Sequence, residues 1–263
     1  MIHGDLTRSD WKDHDWQLIH MAAQSPNLHM ALDEVLTDEV SAGRRAPTLR
    51  IWEWASPAVV IGRFQSLRNE VDADAAQRHG IDVVRRISGG GAMFIEPGNT
   101  ITYSICAPLS MVAGMSFQEA YAHMDAWVID ALAQMGIKAW YQPLNDIASA
   151  SGKIAGAAQA RRGKAVLHHV TMAYDIDATK MLDVLRIGRE KLSDKGTTSA
   201  QKRVDPLRSQ TGLARIQVIA NLIALFRRQY GLVDDTLRPD ELERARALAI
   251  SKFANSDWIG VVP

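Results

Sequence analysis

Apolar side chains at Leu28, Ala31, Leu32, Val35, Leu36 and Val40 return every three or four residues, the period of one helical face. Ser25-Pro26 starts that helix, serine as cap and proline in the first turn, and Gly43 stops it. Thr48 to Trp54 then alternates like a strand, and Ala58 to Ile61 makes a second after the Ser56-Pro57 turn. Val71 to His79 suits a helix closed by Gly80, and Ile81 to Arg86 a strand that runs into consecutive glycines. Thr100 to Ala107 alternates with Ile101, Tyr103 and Ile105 on one face. Phe117 to Met135 is an amphipathic helix stopped by Gly136, and Ile137 to Tyr141 a short strand ending at Pro143.

Ala148 to Gly152 is a loop of small residues. Ile154 to Arg161 and Lys164 to Tyr174 form a hairpin turning near Gly163. Ala178 to Leu185 is a helix, Asp194 to Arg203 a polar mobile loop, and Arg215 to Tyr230 and Pro239 to Phe253 two more helices. Residues 1–15 form a loose polar arm. Strands and helices interleave without a βαβ repeat, which predicts an α+β fold of mixed β-sheets flanked by helices. The expected organisation is a catalytic domain over residues 1–231, a short helical extension over residues 232–263, and no large accessory domain.

Composition narrows the functional classes. A chain of 263 residues can bury a full core. Lys+Arg and Asp+Glu both number 30, so no basic face points to nucleic acid. No apolar run approaches the ~18 residues of a membrane span, and the polar N-terminal stretch is not a secretory signal. A single cysteine, Cys106, excludes an internal disulfide and fits the cytoplasm.

Two segments carry the candidate chemistry. Residues 85–99 put Arg85, Arg86 and Ser88 just before Gly89, Gly90 and Gly91. Glycine lets backbone N–H groups approach a ligand closely, and with cations nearby such a turn suits a phosphate or an adenylate. Residues 145–159 put Lys153 between glycines in a loop, where its charge can stabilise an acyl phosphate. Arg85 and Arg86 alternate along a strand end and so point to opposite faces. Arg63 follows a turn and suits a bidentate contact with phosphate or carboxylate, or a plain surface position. Asp146 suits either an Mg2+ ion or a turn cap. His168 and His169 face opposite ways on a strand, a poor arrangement for joint metal ligation. Cys106 lies in the alternating run TITYSIC with no base beside it, which favours a buried structural thiol.

These segments resemble those of the lipoate–protein ligase family, in which an Arg-Arg-x-Ser/Thr-Gly-Gly-Gly-Ala stretch and an Asn-Asp-Ile…Gly-Lys-Ile/Val-x-Gly stretch enclose lipoyl adenylate. Arg85, Arg86, Ser88, Gly89, Gly90, Gly91 and Ala92 match the first; Asn145, Asp146, Ile147, Lys153, Ile154 and Gly156 match the second. Gly62-Arg63-Phe64-Gln65 is similar to the family's Gly-Arg-x-Gln turn, His168-His169-Val170-Thr171 to its His-His-Gly-Thr strand start, and residues 190–196 to its lysine-rich turn. The likeness runs from about residue 28 to about residue 231. Ile95-Glu96 stands where the family often has His-Asp, and Val170 where glycine is common.

The resemblance implies a catalytic domain like those of class II synthetases and biotin ligases. It implies ATP and Mg2+ as cofactors and lipoate as substrate, joined as lipoyl-AMP and passed to a lysine of a lipoyl carrier domain. The carrier would be a 2-oxoacid dehydrogenase E2, a glycine cleavage H protein or a related lipoate-binding protein. Lys153 takes the catalytic role. Arg86, Ser88, Gly89, Gly90, Gly91, Ala92, Met93, Phe94, Asn145, Asp146 and Gly156 hold the adenylate, with Arg85 a structural ion-pair partner. Arg63 and His169 line the lipoate pocket, His169 being equally readable as a satisfied sheet histidine. Asp146 is the metal candidate. The absent large C-terminal domain points to a separate accessory subunit. A related acyltransferase family on the same fold uses a cysteine thiolate, so an ATP-independent octanoyl or lipoyl transferase stands as the alternative, with a non-catalytic lipoyl-adenylate binder as a third reading and biotin ligation as a weaker one.

Overall fold

A computed structural model describes residues 8–186 and 204–263. Eight strands form one sheet in the order β11-β1-β2-β6-β10-β9-β8-β7. They are β1 (Gln17–His20), β2 (Thr48–Trp52), β6 (Thr100–Pro108), β7 (Trp140–Gln142), β8 (Asp146–Ser149), β9 (Gly152–Arg162), β10 (Ala165–Ala173) and β11 (Val233–Asp234). β1 runs parallel to both β2 and β11, and the other neighbours are antiparallel. A three-stranded sheet, β4-β3-β5, holds β3 (Ala58–Ile61), β4 (Asp82–Arg85) and β5 (Met93–Ile95). The expected α+β fold with mixed sheets is the one observed.

Nine described helices flank the sheets: α1 (Pro26–Ser41), α2 (Leu67–Glu70), α3 (Ala73–Arg78), α4 (Phe117–Gln134), α5 (Ala178–Val184), α6 (Leu207–Thr211), α7 (Arg215–Tyr230), α8 (Pro239–Leu248) and α9 (Ser256–Ile259). None is long and apolar enough to cross a membrane. Ser25 caps α1, and Ser116 with Glu119 forms a capping box on α4. α4 and α7 bury Met124, Trp127, Val128, Leu222 and Phe226 with Tyr103 and Val166 of the large sheet.

α1 packs against β6 and β10 on one side and α8 on the other, so both its faces are buried. Its charges therefore need partners inside the molecule. Asp33 pairs with Arg50 at 2.6 Å, Glu34 with Lys252 at 2.6 Å, and Glu39 with Arg44, Arg238 and Arg244 at 2.6–2.7 Å. The polar face of β6 is covered too: Thr102 and Ser104 accept from the indoles of Trp54 and Trp52.

Two local expectations change, and a third is not reached. The described part of the N-terminal arm is not loose: Trp11 and Trp16 stack at 5.3 Å and are buried against Phe226. The small-residue loop before Lys153 is a tight hairpin, β8 turning through Ala150-Ser151 into β9, and Lys153 sits on β9 itself. The polar loop expected over residues 194–203 and the lysine-rich turn over residues 190–196 lie outside the described residues.

Candidate active site

Sheet order explains the glycine run. β4 and β5 both pair with β3 and not with each other, so residues 86–92 must cross the end of β3, where the Gly62–Gln65 turn begins. The crossing is close: a Cβ on Gly62 would stand 2.2 Å from the carbonyl oxygen of Gly90. Gly90 itself has φ 90°, which other residues rarely adopt.

Arg86 is the scaffold of this loop. Its buried guanidinium donates to the carbonyls of Val60 (3.1 Å), Gly89 (2.6 Å) and Gly91 (2.9 Å) and to Ser88 Oγ (3.0 Å). Burial holds its pKa down to about 10, so it stays charged at neutral pH. With the loop carbonyls turned toward Arg86, the N–H groups of Gly89, Gly90 and Gly91 have no protein acceptor among the described residues. Gly90 and Gly91 are exposed. An open row of donors backed by a buried cation suits an anion.

A buried chain of hydrogen bonds stands behind the loop. Ser88 Oγ lies 2.6 Å from His169 Nε2, and His169 Nδ1 lies 2.7 Å from Asp33 Oδ2. Burial would raise the Asp33 carboxyl, but Arg50 and His169 more than offset it and hold it below the usual range. An ionised Asp33 only accepts, so His169 donates from Nδ1. Burial keeps His169 neutral, which leaves Nε2 to accept from the Ser88 hydroxyl. Ser88, His169 and Asp33 are 1–3% exposed. They resemble a serine-histidine-aspartate set in order, yet they are closed to substrate and serve to fix Arg86 and the loop. Asp33 escaped the sequence reading; a carboxylate inside an apolar helical stripe was the available signal.

The opposite wall comes from β8 and β9. Lys153 is 47% exposed and its Nζ lies 2.6 Å from Asp146 Oδ1. Gly156 faces Asp146 across the strands, and a Cβ there would stand 3.0 Å from Lys153 Nζ. Glycine thus leaves the ammonium room to lie across β9. Asn145 Nδ2 donates to Ala157 O at 2.5 Å. Asp146 gathers with no other acidic, histidine or cysteine side chains into a group of three among the described residues, so any Mg2+ there needs phosphate oxygens as further ligands.

Between the walls lies a cavity of about 180 Å³, lined by Ala92, Met93 and Phe94 from the first segment, by Lys153 and Gly156 from the second, and by Thr171 of β10. Ile176, Met181 and Leu185 extend it as an apolar surface. Arg63, Gly89, Gly90, Gly91, Asn145, Asp146 and His169 do not line it; the glycine loop and the Asp146 carboxylate stand beside it. The Arg63 guanidinium rests over the Trp258 ring at 4.5 Å. Among the described residues Arg85 has no ion pair: it is buried and donates only to carbonyls, those of Gly62, Arg63, Gln65, Ile259 and Val262. Cys106 is buried, and burial followed by the nearby Asp33 charge pushes its thiol up to about 12.

Known proteins resemble the chain in sequence and fold. The chain is 27% identical over 273 residues to octanoyltransferase LipM of Lysinibacillus sphaericus, covering 92% of this chain and 98% of that protein. It superposes with a TM-score of 0.82 and 27% identity on a protein of an archaeal lipoylation system, described as a bipartite lipoate protein ligase and its E2 lipoyl domain from Thermoplasma acidophilum, over 95% of this chain and 97% of that one. A lipoate-protein ligase A bound with ATP gives a TM-score of 0.81 at 25% identity, over 95% and 100%. Residues 25–227 match the family model described as the lipoyl protein ligase A/B catalytic domain, and the chain belongs to that family.

Proposed function

We propose that the chain is an ATP-dependent lipoate–protein ligase. A lipoate carboxylate oxygen attacks the α-phosphorus of ATP, forming lipoyl-AMP and releasing pyrophosphate. The ε-amine of a carrier lysine then attacks the acyl carbon, AMP leaves, and the amine proton passes to solvent. The observation that carries this reading is the cavity itself: an apolar slot with the glycine-loop strand on one wall and Lys153 on the other. The N–H groups of Gly89 to Gly91 hold phosphate oxygens. Lys153 leaves Asp146 and stabilises charge on the acyl and α-phosphate oxygens as it develops. Asp146 is the residue that would help hold Mg2+, whose chemistry when bound would be to neutralise charge on phosphate oxygens.

The similarity to LipM keeps the ATP-independent transferase in view. A thioester route needs an accessible thiolate, and the only cysteine is buried with a pKa of about 12. That supports the ligase. The ATP-bound relative and the lipoyl-domain partner of another support ATP as cosubstrate and a lipoyl domain as acceptor. The same reading makes the enzyme cytoplasmic.

The test is pyrophosphate release from ATP, Mg2+ and lipoate, followed by mass gain on a lipoyl carrier domain. Wild-type protein releases pyrophosphate and adds the lipoyl mass, and Lys153→Ala abolishes both. Modification from supplied lipoyl-AMP without pyrophosphate release would mean that adenylation needs an accessory subunit. Acyl transfer between carriers without ATP would overturn the ligase in favour of the transferase.

A further inference from the structure

Residues 255–263 lie beyond the region that matches the family model, yet they touch the site's framework. Arg85 joins two layers. Its Nη1 donates to the carbonyls of Gly62 (2.8 Å) and Gln65 (2.7 Å) in the turn, while Nε and Nη2 donate to Ile259 O at 2.9 and 2.7 Å. The Trp258 indole N–H returns a bond to Arg85 O at 2.9 Å. Leu67 N donates to Val262 O at 2.9 Å, and Ser66 Oγ donates to Pro263 O. The turn in turn holds the glycine loop, through Arg63 N donating to Ser88 O at 2.8 Å and through the Gly62–Gly90 contact.

Arg63 has no ion pair with any carboxylate of the described residues, and its guanidinium is carried on the face of the Trp258 indole. A cation held by an aromatic face keeps its hydrogen-bond donors available for an anion. The same ring sits 4.1 Å from Lys252 Nζ, whose charge is already answered by Glu34.

We propose that Trp258 is a positioning residue: with Arg85 it clasps the Gly62–Gln65 turn and aims Arg63 at the anionic oxygens of the substrate. Arg63's role as an anion contact rests on the ligase reading; the clasp does not. Trp258 acts through Arg63 by the ring face and through Arg85 by the indole N–H.

The experiment compares Trp258→Ala, Trp258→Phe, Arg63→Ala and the double variant Trp258→Ala/Arg63→Ala in the full chain. Pyrophosphate release gives kcat and the KM values for ATP and for lipoate. Hydrogen exchange of residues 62–66 and 86–92, without ligand, reads the clasp. Trp258→Ala is expected to raise one KM roughly three- to tenfold, with kcat held within about twofold. The KM that moves, for ATP or for lipoate, identifies whether Arg63 meets phosphate or carboxylate. Trp258→Phe keeps a ring face and restores most of that KM. In the Arg63→Ala background the tryptophan change adds nothing, the non-additivity expected of coupled residues.

Full additivity, or a phenylalanine variant as impaired as the alanine one, would overturn the positioning role. Should wild-type protein release no pyrophosphate, the ligase reading fails separately and the exchange data still decide the clasp. Unchanged protection of residues 62–66 in Trp258→Ala sinks it, and faster exchange there supports it.

Discussion

Gly62→Ala tests the crossing that shapes the glycine loop. Gly62 does not have positive φ, so alanine fits its backbone and only the added methyl matters. That methyl would stand 2.2 Å from Gly90 O, whereas ordinary contact begins at 3.4 Å. The loop or the turn must therefore move by about 1.2 Å, the difference of those two distances. The loop resists, because Arg86 holds Gly89 O at 2.6 Å and Gly91 O at 2.9 Å, and Arg63 N holds Ser88 O at 2.8 Å. Overpacking of this kind costs about 1–3 kcal/mol, which lowers the melting point by roughly 2–10 °C in a chain of this size. A displacement near 1 Å at a site costs about 10²-fold in rate. Melting curves and kcat/KM for pyrophosphate release read the two effects. Gly89→Ala is the control: its Cβ would meet only Phe64 Cδ2 at 3.9 Å, so it should melt like the wild type. A Gly62→Ala protein with wild-type melting and kcat/KM would refute the idea that this contact sets the loop.

Further outcomes follow from the buried charges. Asp33→Asn removes one partner of the buried pair with Arg50 and should destabilise the protein by about 3–5 kcal/mol in urea melts; a loss below ~1 kcal/mol would mean the pair is dispensable. His29 is held down to about 3 by burial and by Arg50. The unfolded chain therefore binds the extra proton between pH 6.5 and about 3, so stability is full above pH 6.5 and falls as the pH drops toward 3. The size is at most about 4–5 kcal/mol at 1.36 kcal/mol per unit. His29→Gln should flatten that slope in urea melts across the window, and an unchanged slope would count against it. Cys106→Ser should keep near-wild-type acyl transfer, and the folded thiol should resist iodoacetamide; a tenfold activity loss would revive the thioester route.

The sheets and the site differ in how far the sequence discloses them. Alternation placed Arg85 and Arg86 on opposite faces, as observed, because a strand's period is local. What each guanidinium touches is not local: Arg85 meets carbonyls of residues 259 and 262, far along the chain. Ala148 to Gly152 read as a loop because small residues favour strands weakly. Pairing with β9 overrides that propensity and puts Lys153 on a strand. The α1 stripe was legible, but not that its polar face is buried as well. The groups that cover and neutralise that face come from Arg50, Arg162, Arg238, Arg244 and Lys252, residues that only the tertiary structure brings together. Cys106 was legible as a structural thiol, since burial on a central strand follows from its place in TITYSIC.

The two walls of the cavity are built to different stiffness, and the proposed ligase chemistry would account for it. The glycine wall is tied by Arg86, by the Ser88–His169–Asp33 chain and by Arg85, all of them buried side chains. Preorganised donors of this kind reorganise little when charge appears, which is what phosphate binding and charge stabilisation require. Lys153 is held differently, by one carboxylate in a pair that is 47% and 30% exposed. Such a pair contributes about 0–1 kcal/mol, so Lys153 can leave Asp146 at small cost when a stronger anion arrives. A two-step acyl transfer needs that freedom, because the charge to be stabilised lies first around the α-phosphate and then on the carbonyl oxygen. Burying Lys153 in a fixed pair would favour one step at the expense of the other. Asp146→Asn therefore should weaken the resting position of Lys153 without abolishing its role. Loss of adenylation as deep as in Lys153→Ala would instead show that the Asp146 carboxylate is itself required for that step, as Mg2+ ligation would demand.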